Sequence, residues 1–330
     1  MSKPKIAIIG AGITGLHLAR RLSDSADVEI FEKSRGIGGR MSTRRWGDFS
    51  FDHGAQYFTA HGFAFQRFLA PFIEIGVVAQ WSPRLVALGR ATEAPAWSAP
   101  RYVAVPGMTA LCKTMAEGLA VRRETRVAHI DHQENGTWVL TSVGGTALGQ
   151  FDWIVSTTPA EQTAQLMPAC FEHNETLSKA RMLGCYSLML GGLDLPDVKW
   201  DAAVVKNSPI AWIAMNHSKP GRSHSASLLC QSDNEWSQAY LEHDAETVQD
   251  MMLNALAEVT GFALQTAEYK SMHKWRFAKV AHSTDQPYLL DSTHKLAAAG
   301  DWCGAGRVEA GFDSADALAS RILDQDLLKR

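Results

Sequence analysis

The chain has 330 residues, of which 46% are hydrophobic and 20% charged, with a formal net charge of −3. This balance is typical of a globular protein with a large core, and the length predicts two domains. The small net charge excludes the basic footprint of nucleic-acid or membrane-surface binding. No apolar run reaches the roughly 18 residues of a membrane span. The five cysteines form no CxxC pair, so we expect reduced thiols in a cytoplasmic protein.

The first 32 residues carry the most specific pattern. An apolar run over residues 5–9 predicts a strand, which leads into Gly10-Ala-Gly12-Ile-Thr-Gly15 and a helical pattern over residues 16–22. Such glycines allow a tight turn, the approach of backbone N–H groups to a pyrophosphate, and close packing of helix on strand. Glu32 follows a second apolar run, where a carboxylate can accept hydrogen bonds from a ribose. The pattern predicts a dinucleotide-binding βαβ unit.

The remaining elements are predicted from periodicity and turn signals. Helices are predicted over residues 63–75, 108–119, 244–259 and from near Gly311 to near Arg330. Strands are predicted over residues 102–105, 121–130, 138–142, 153–155, 186–190, 211–215, 227–230 and 296–300, with a hairpin turn at Asn135-Gly136. Both chain ends are therefore assigned to one nucleotide-binding domain (residues 1–75, 104–161 and 272–330). Residues 76–103 and 162–271 are assigned to a substrate domain.

A second glycine-rich loop bears on the choice between NAD and FAD. Ile37-Gly38-Gly39-Arg40-Met41 follows the first unit closely, and the segment over residues 51–57 comes next. Two glycines let the backbone pass close to a flat ligand, and Arg40 can pair with pyrophosphate oxygens in bidentate fashion. The spacing favours FAD, and the alternative is a solvated arginine-rich loop.

These motifs resemble the flavin-containing amine oxidase superfamily. The matching elements are the Gly10 to Gly15 turn, Glu32, Gly38-Gly39-Arg40, Asp52-x-Gly54, Thr158-Pro159 and Gly300-Asp301. Within the superfamily the chain is most similar to the renalase family, notably through Ala55-Gln56-Tyr57 and Lys274-Trp275-Arg276. The resemblance implies an α/β fold. A Rossmann-like FAD-binding domain of the glutathione-reductase type would be interleaved with an α+β substrate domain, as in amine oxidases and p-hydroxybenzoate hydroxylase.

The resemblance also implies cofactor contacts for non-covalently bound FAD. Glu32 would hold the adenosine ribose, Arg40 the pyrophosphate, and Asp301 the ribityl chain or pyrophosphate. The helix near Gly311 would point its N-terminus at the flavin. The full predicted set is Gly10, Gly12, Ile13, Gly15, Glu32, Lys33, Gly39, Arg40, Met41, Gln56, Tyr57, Val127, Ala128, Asp301, Trp302, Ala310 and Gly311. Cys303 is interpreted as a buried thiol rather than a covalent attachment point.

The absence of two motifs limits the reactions that this chain is expected to catalyse. A second GxGxxG and a redox cysteine pair are both missing, which favours an oxidase. Superfamily amine oxidases often carry a lysine after a Leu-Gly pair, where this chain has Leu183-Gly184-Cys185. Similarity to the renalase family implies oxidation of 1,2- and 1,6-dihydro-NAD(P) isomers to NAD(P)+, with O2 reduced to H2O2. No catalytic side chain is then required, and the histidine spacing predicts no metal site.

Substrate contacts are sought among aromatic and amide side chains. Aromatic candidates are Tyr57, Phe58, Trp81, Trp97, Tyr102, Trp212, Trp275 and Trp302. The predicted substrate-binding set is Gln56, Tyr57, Phe58, Trp97, Ser187, Asn216, Trp275 and Glu309. Two alternatives stay open: an amine oxidase acting on a small amine, and a flavin-binding protein without enzymatic activity.

Overall fold

The computed structural model describes residues 3–89 and 99–328. The chain forms two compact units, each discontinuous in sequence. Unit 1 contains the residues up to Arg40, Cys112–Met182, and the residues from Val280 onward, and unit 2 contains Met41–Leu111 and Leu183–Lys279. These units are defined by packing, and the domain boundaries drawn from the motifs stay a prediction.

The helices are α1 Ile13–Leu22, α2 Phe63–Glu74, α3 Thr109–Ala116, α4 Ala160–Leu166, α5 Asn174–Lys179, α6 Asn234–Ala239, α7 Ala245–Thr260 and α8 Val308–Asp324. The strands are β1 Lys5–Ile9, β2 Asp27–Phe31, β3 Arg44–Trp46, β4 Phe49–Phe51, β5 Val78–Gln80, β6 Leu85–Gly89, β7 Tyr102–Ala104, β8 Ala120–Arg122, β9 Val127–His132, β10 Trp138–Ser142, β11 Ala147–Phe151, β12 Trp153–Ser156, β13 Arg181–Gly191, β14 Ala202–Lys206, β15 Ile210–Met215, β16 Ser227–Ser232, β17 Tyr269–His282, β18 Leu289–Asp291 and β19 Leu296–Ala298. None of the helices within residues 3–89 and 99–328 combines the length and apolar character that crossing a bilayer needs.

Unit 1 is built on a six-stranded sheet in the order β18-β19-β12-β1-β2-β8. All neighbours are parallel except β18 and β19. The apolar run of β1 is buried from Ile6 to Ile9, as expected for a central parallel strand covered on both faces. Helices α1 and α8 pack against each other, with His17 beside Phe312. The predicted βαβ unit is therefore confirmed.

Two expectations for unit 1 were wrong in detail. The strand predicted over residues 121–130 is two strands, because the polar residues after Arg122 turn through Glu124 at a φ of +54°. Strand β8 joins the parallel sheet, while β9 begins an antiparallel sheet with β10 and β11. Helix α8 begins at Val308, earlier than predicted, and the N–H of Gly311 already donates to the Arg307 carbonyl. The sequence therefore places the start of this helix too late, because Gly311 lies within the first turn of α8.

Unit 2 is built on a second six-stranded sheet in the order β17-β13-β16-β15-β14-β6. Alternate residues of β13 divide between two cores. Leu188 and its neighbours on one face pack with Val248 and Met252 of α7. Met189 on the other face packs with Phe49 and Phe51 of the β3–β4 hairpin. The hairpin and the residues after it therefore cover the sheet face opposite α7.

Helix α7 is the clearest local prediction in unit 2. Asp244 caps it, with its carboxylate accepting from the N–H groups of Glu246 and Thr247. It ends at Gly261 in the left-handed conformation, with φ of +70°. These two signals are why the sequence predicts this helix to within a residue.

Candidate functional site

The glycine turn between β1 and α1 has a distinct requirement at each glycine. Gly10 has φ of +113°, and a Cβ on Gly15 would lie 2.0 Å from the Gly10 carbonyl oxygen. Both positions are therefore fixed by the turn itself. A Cβ on Gly12, by contrast, would meet no atom of the described residues within 4 Å. Gly12 keeps open the space before the N-terminus of α1, where no side chain caps the helix.

Glu32 lies beside this turn at the end of β2. Its carboxylate is buried and accepts from the backbone N–H of Ala11 at 2.9 Å and of Ser34 at 2.8 Å. The N–H of Gly10 donates to the Phe31 carbonyl at 2.8 Å. These bonds hold the acid at the turn, and each carboxylate oxygen keeps lone-pair capacity for a ligand hydroxyl.

Arg40 and Asp301 form a bidentate ion pair within unit 1. The two guanidinium nitrogens lie 2.7 and 2.6 Å from the two carboxylate oxygens. Asp301 follows β19, and Gly39 approaches the turn, since its Cβ would lie 3.8 Å from the Gly12 Cα. Gly311 brings α8 close to α1, because a Cβ there would lie 2.9 Å from the Thr14 hydroxyl. Unit 1 thus gathers the glycine turn, an acid and an arginine at the carboxyl ends of its parallel strands.

Residues 52–57 of unit 2, the crossing segment, run across three neighbouring strands. The indole N–H of Trp275 on β17 and the hydroxyl of Ser187 on β13 both donate to the His53 carbonyl at 2.7 Å. The Gln231 amide on β16 donates to the Gly54 carbonyl at 2.7 Å. Ser187 and Trp275, predicted to bind substrate, therefore hold the backbone of this segment.

A buried ion cluster of Asp52, Lys219 and Arg222 lies at the start of the crossing segment. The three residues are 0%, 2% and 6% exposed. One Asp52 oxygen is 3.2 Å from the Lys219 ammonium and 2.6 Å from the Arg222 guanidinium. The other oxygen accepts from the Thr43 hydroxyl at 2.7 Å and the Met108 N–H at 3.0 Å. Burial raises the pKa of Asp52, but Lys219 and Arg222 outweigh it and hold that pKa below its ordinary value.

The two predicted amide contacts are both engaged within unit 2. The Gln56 Nε2 donates to the carbonyls of Asp52 and Gly54, and its Oε1 accepts from Lys219 at 3.2 Å. Asn216 donates to the Ser50 carbonyl at 2.7 Å and accepts from the Asp52 N–H at 3.3 Å. Both side chains are buried, so the structure gives them a bracing position around the crossing segment.

Tyr57 ends the crossing segment in an aromatic cluster with Trp81 and Trp212. The Tyr57 ring centroid lies 6.3 Å from that of Trp81 and 5.8 Å from that of Trp212. Two cations flank these rings: the Arg101 guanidinium lies 5.3 Å from the Tyr57 centroid, and the Lys219 ammonium lies 5.3 Å from the Trp81 centroid. Phe58 is buried against Phe65 and Tyr102 as part of the core.

A second ring cluster lies at the other end of the crossing segment. His53 stacks on Trp275 at 5.3 Å and meets the edge of His273 at 4.9 Å. Burial first, and then nearby positive charge, lowers the pKa of each of the two histidines to about 4. Both imidazoles are therefore neutral at pH 7.

Comparison with the sequence patterns of known families shows which family this chain belongs to. That of an NAD(P)-binding Rossmann-like domain matches residues 8–72, and that of the flavin containing amine oxidoreductases matches residues 92–323, more than half of the chain. The chain belongs to the flavin-containing amine oxidoreductase family. Its cofactor is FAD, as the sequence predicts, and the predicted α/β fold class is confirmed.

Solved structures of low sequence identity share the fold of this family member. A proposed protoporphyrinogen oxidase from Exiguobacterium sp. 255-15 has a TM-score of 0.77 and 14% identity, with 98% of this chain and 100% of that chain covered. Cyclohexylamine oxidase from Brevibacterium oxydans IH-35A has a TM-score of 0.71 and 15% identity, with 98% and 99% covered.

A curated relative matches over a short stretch only. The 4,4'-diapophytoene desaturase of Staphylococcus aureus (strain Newman) is 51% identical over 51 residues, which is 15% of this chain. The match spans a tenth of the length of that relative.

The residues of unit 1 fit FAD on the geometry described above. The space at Gly12 suits a pyrophosphate, Glu32 a ribose, and Arg40 an anionic oxygen. Of the predicted site residues, unit 1 holds Gly10, Gly12, Ile13, Gly15, Glu32, Lys33, Gly39, Arg40, Val127, Ala128, Asp301, Trp302, Glu309, Ala310 and Gly311. Unit 2 holds Met41, Gln56, Tyr57, Phe58, Ser187, Asn216 and Trp275. Trp97 lies outside the described residues, and the roles assigned toward cofactor and substrate stay predictions.

Sequence reasoning missed three polar residues of unit 2. Lys219, Arg222 and Gln231 contact the crossing segment from more than 160 positions away. Lys219-Pro-Gly-Arg222 follows a predicted strand, so its charges were indistinguishable from those of a solvated turn. Asp52, already part of the Asp52-x-Gly54 motif, was the available signal for a buried cationic partner.

Proposed function

We propose that this flavoprotein is an oxidase of the renalase type. It would oxidise 1,2- and 1,6-dihydro-NAD(P) isomers to NAD(P)+. Each turnover removes a hydride from the dihydropyridine ring, and O2 takes up the two electrons with two protons to give H2O2. When bound, FAD supplies the acceptor for the hydride and passes the electrons to O2.

The aromatic cluster is the observation that carries this proposal. Tyr57, Trp81 and Trp212 bring three aromatic rings together. Stacking of a flat, neutral dihydropyridine on rings of this kind would contribute about 0.5–1.5 kcal/mol per ring pair. The charged groups that contact these rings among the described residues are Arg101 and Lys219, both cations. They suit a nucleotide that carries phosphates and oppose a protonated amine.

The proposed reaction needs little acid–base chemistry from the chain. Loss of a hydride leaves an aromatic pyridinium, so no side chain has to remove a proton from the substrate. What the reaction needs is a substrate ring held at roughly 3–3.5 Å from the hydride acceptor, in a space without water.

An amine oxidase is the second candidate, supported by the family membership and by the fold shared with cyclohexylamine oxidase. That candidate has to explain the cations beside the aromatic cluster, since an alkylamine is protonated near pH 7. A flavin-binding protein without enzymatic activity is a third candidate, and reduced flavin that failed to react with oxygen would favour it.

Anaerobic flavin reduction separates these candidates. We expect a dihydro-NAD isomer to bleach the absorbance of bound FAD within seconds, whereas cyclohexylamine and putrescine leave it unchanged. Admission of O2 should restore the flavin colour and release one H2O2 per NAD+ formed. Bleaching by an amine but not by the isomers would overturn the proposal and establish the second candidate.

A further inference from the structure

We propose that Lys219 is a positioning and specificity residue, whose buried ammonium makes the aromatic cluster selective for anionic over cationic ligands. It would act on the ligand through Trp81 and Gln56 rather than by direct contact. The inference rests on the proposed function for the identity of the substrate, but its charge argument concerns any ligand of the aromatic cluster.

The position of Lys219 is fixed on three sides. Its ammonium donates to Asp52 at 3.2 Å and to Gln56 Oε1 at 3.2 Å, and it lies 5.3 Å from the Trp81 ring centroid. The side chain itself is fully buried. Through Gln56 it fixes the amide that bridges Asp52 and Gly54, and hence the segment that presents Tyr57.

Asp52 does not need Lys219 as a hydrogen-bond partner. Two Arg222 nitrogens bond one carboxylate oxygen, and the Thr43 hydroxyl and Met108 N–H bond the other. Lys219 thus adds a second cation to a carboxylate already paired with arginine. A buried charge of this kind is expensive, so its presence calls for an explanation other than the satisfaction of Asp52.

The cluster carries an excess of positive charge. Among the carboxylates of residues 3–89 and 99–328, only that of Asp52 lies within ion-pair distance of Lys219 or Arg222. One negative and two positive groups leave one net positive charge, and solvent screens it weakly because all three are buried. A negatively charged ligand beside Trp81 and Tyr57 is stabilised by this excess, and a protonated amine is destabilised.

The charge of Lys219 depends on pH. Burial, opposed by Asp52 and assisted by Arg222, lowers the pKa of Lys219 to about 8. Asp52 stays ionised across this range because its pKa is lowered. Gln56 and Trp81, which also contact the ammonium, do not titrate. Selectivity for anions should therefore be full well below pH 8 and decline as the pH rises through that value.

The test uses the FAD-loaded protein and benzoate as an unreactive probe whose flat ring carries a negative charge. Binding is followed by the difference spectrum of the flavin, and cyclohexylammonium is the cationic probe. In Lys219→Met we expect the Kd of benzoate to rise about tenfold and cyclohexylammonium to bind more tightly. Lys219→Arg should keep the affinity of the wild-type protein but lose its decline between pH 7 and 9. Lys206→Met, which removes an exposed lysine of β14, is the matched control.

Several results would overturn the inference. These are equal benzoate affinity in the wild-type protein and Lys219→Met, an unchanged pH profile in Lys219→Arg, or no binding of benzoate to the wild-type protein. Should Lys219→Met fail to fold, as FAD content and thermal unfolding would show, the pH profile of Lys219→Arg still decides. Failure of dihydro-NAD isomers to reduce the wild-type flavin would end the proposed function, while a Lys219-dependent affinity for anions would stand.

Discussion

Arg40 and Asp301 are 261 positions apart in sequence, yet they share two hydrogen bonds. Arg40→Ala removes the guanidinium assigned to the pyrophosphate and leaves the Asp301 carboxylate uncompensated. Both changes disfavour a bound dinucleotide anion, so we expect about tenfold weaker retention of FAD, or about 1.4 kcal/mol. FAD absorbance per protein after gel filtration measures the loss.

Arg35→Ala provides the matched control for this prediction. Arg35 lies in the same loop, and it is exposed. Its replacement should leave FAD content at the level of the wild-type protein. If Arg40→Ala retains FAD as well as Arg35→Ala does, the pyrophosphate assignment is wrong.

Residue-level prediction from sequence works where a role depends on near neighbours. Glu32 and the glycines belong to one βαβ unit, so their spacing identifies them directly. Lys219 and Gln231 reach the crossing segment only through the pairing of distant strands, which a single sequence does not reveal. Gln56 and Asn216 are recognisable as polar, but burial by residues elsewhere in the chain determines that their amides brace the fold.

In the β1–α1 turn, one glycine is required by the fold and another by the space that the cofactor is expected to occupy. Gly15→Ala places a Cβ 2.0 Å from the Gly10 carbonyl oxygen, so the helix has to move off the strand. We expect a clear fall in the thermal stability of the protein, together with loss of FAD. Gly12→Ala meets no described atom within 4 Å, and it should change the stability of the FAD-free protein by only about 0.5 kcal/mol.

The decisive measurement for this pair of glycines is FAD affinity at preserved stability. Gly12→Ala should weaken FAD at least tenfold, because a methyl group would occupy the space before the α1 N-terminus. Thermal unfolding with and without added FAD gives both quantities. Wild-type affinity in Gly12→Ala would mean that the cofactor does not approach the backbone at this residue.

Some strands are easier to predict from sequence than others. Strand β1 is a continuous apolar run because both faces of a central parallel strand are covered. Strand β17 escaped prediction, although it is the longest strand described. It lies at the edge of its sheet, and its alternate positions carry Tyr269, Ser271, His273 and Trp275, which face the hairpin and crossing segment. Polar and aromatic residues of this kind hide the period of two that marks a strand.

At the scale of the whole molecule, the five cysteines are sharply unequal. Cys170 is exposed, and the others are buried. Burial raises the pKa of the Cys112 thiol to about 12 and those of Cys185 and Cys303 to about 11, and it raises that of Cys230 well above its usual value. Since the thiolate is the reactive form, a disulfide reagent at pH 8 should titrate one thiol rapidly in the native protein.

The denatured chain should release all five thiols to the same reagent. Cys170→Ser should abolish the fast phase and leave FAD content unchanged. A second fast equivalent in this variant would show that one of the buried thiols, such as Cys303 beside Trp302, is more accessible than its position implies.

The burial of these four sulfurs matters for a protein whose proposed product is peroxide. Peroxide reacts with the thiolate form of cysteine and oxidises it stepwise from sulfenic to sulfonic acid. Held as neutral SH groups in the interior, these side chains would resist oxidation by peroxide if the proposed reaction produces it. Cys170, which is exposed, is then the cysteine that peroxide from the proposed reaction would oxidise first.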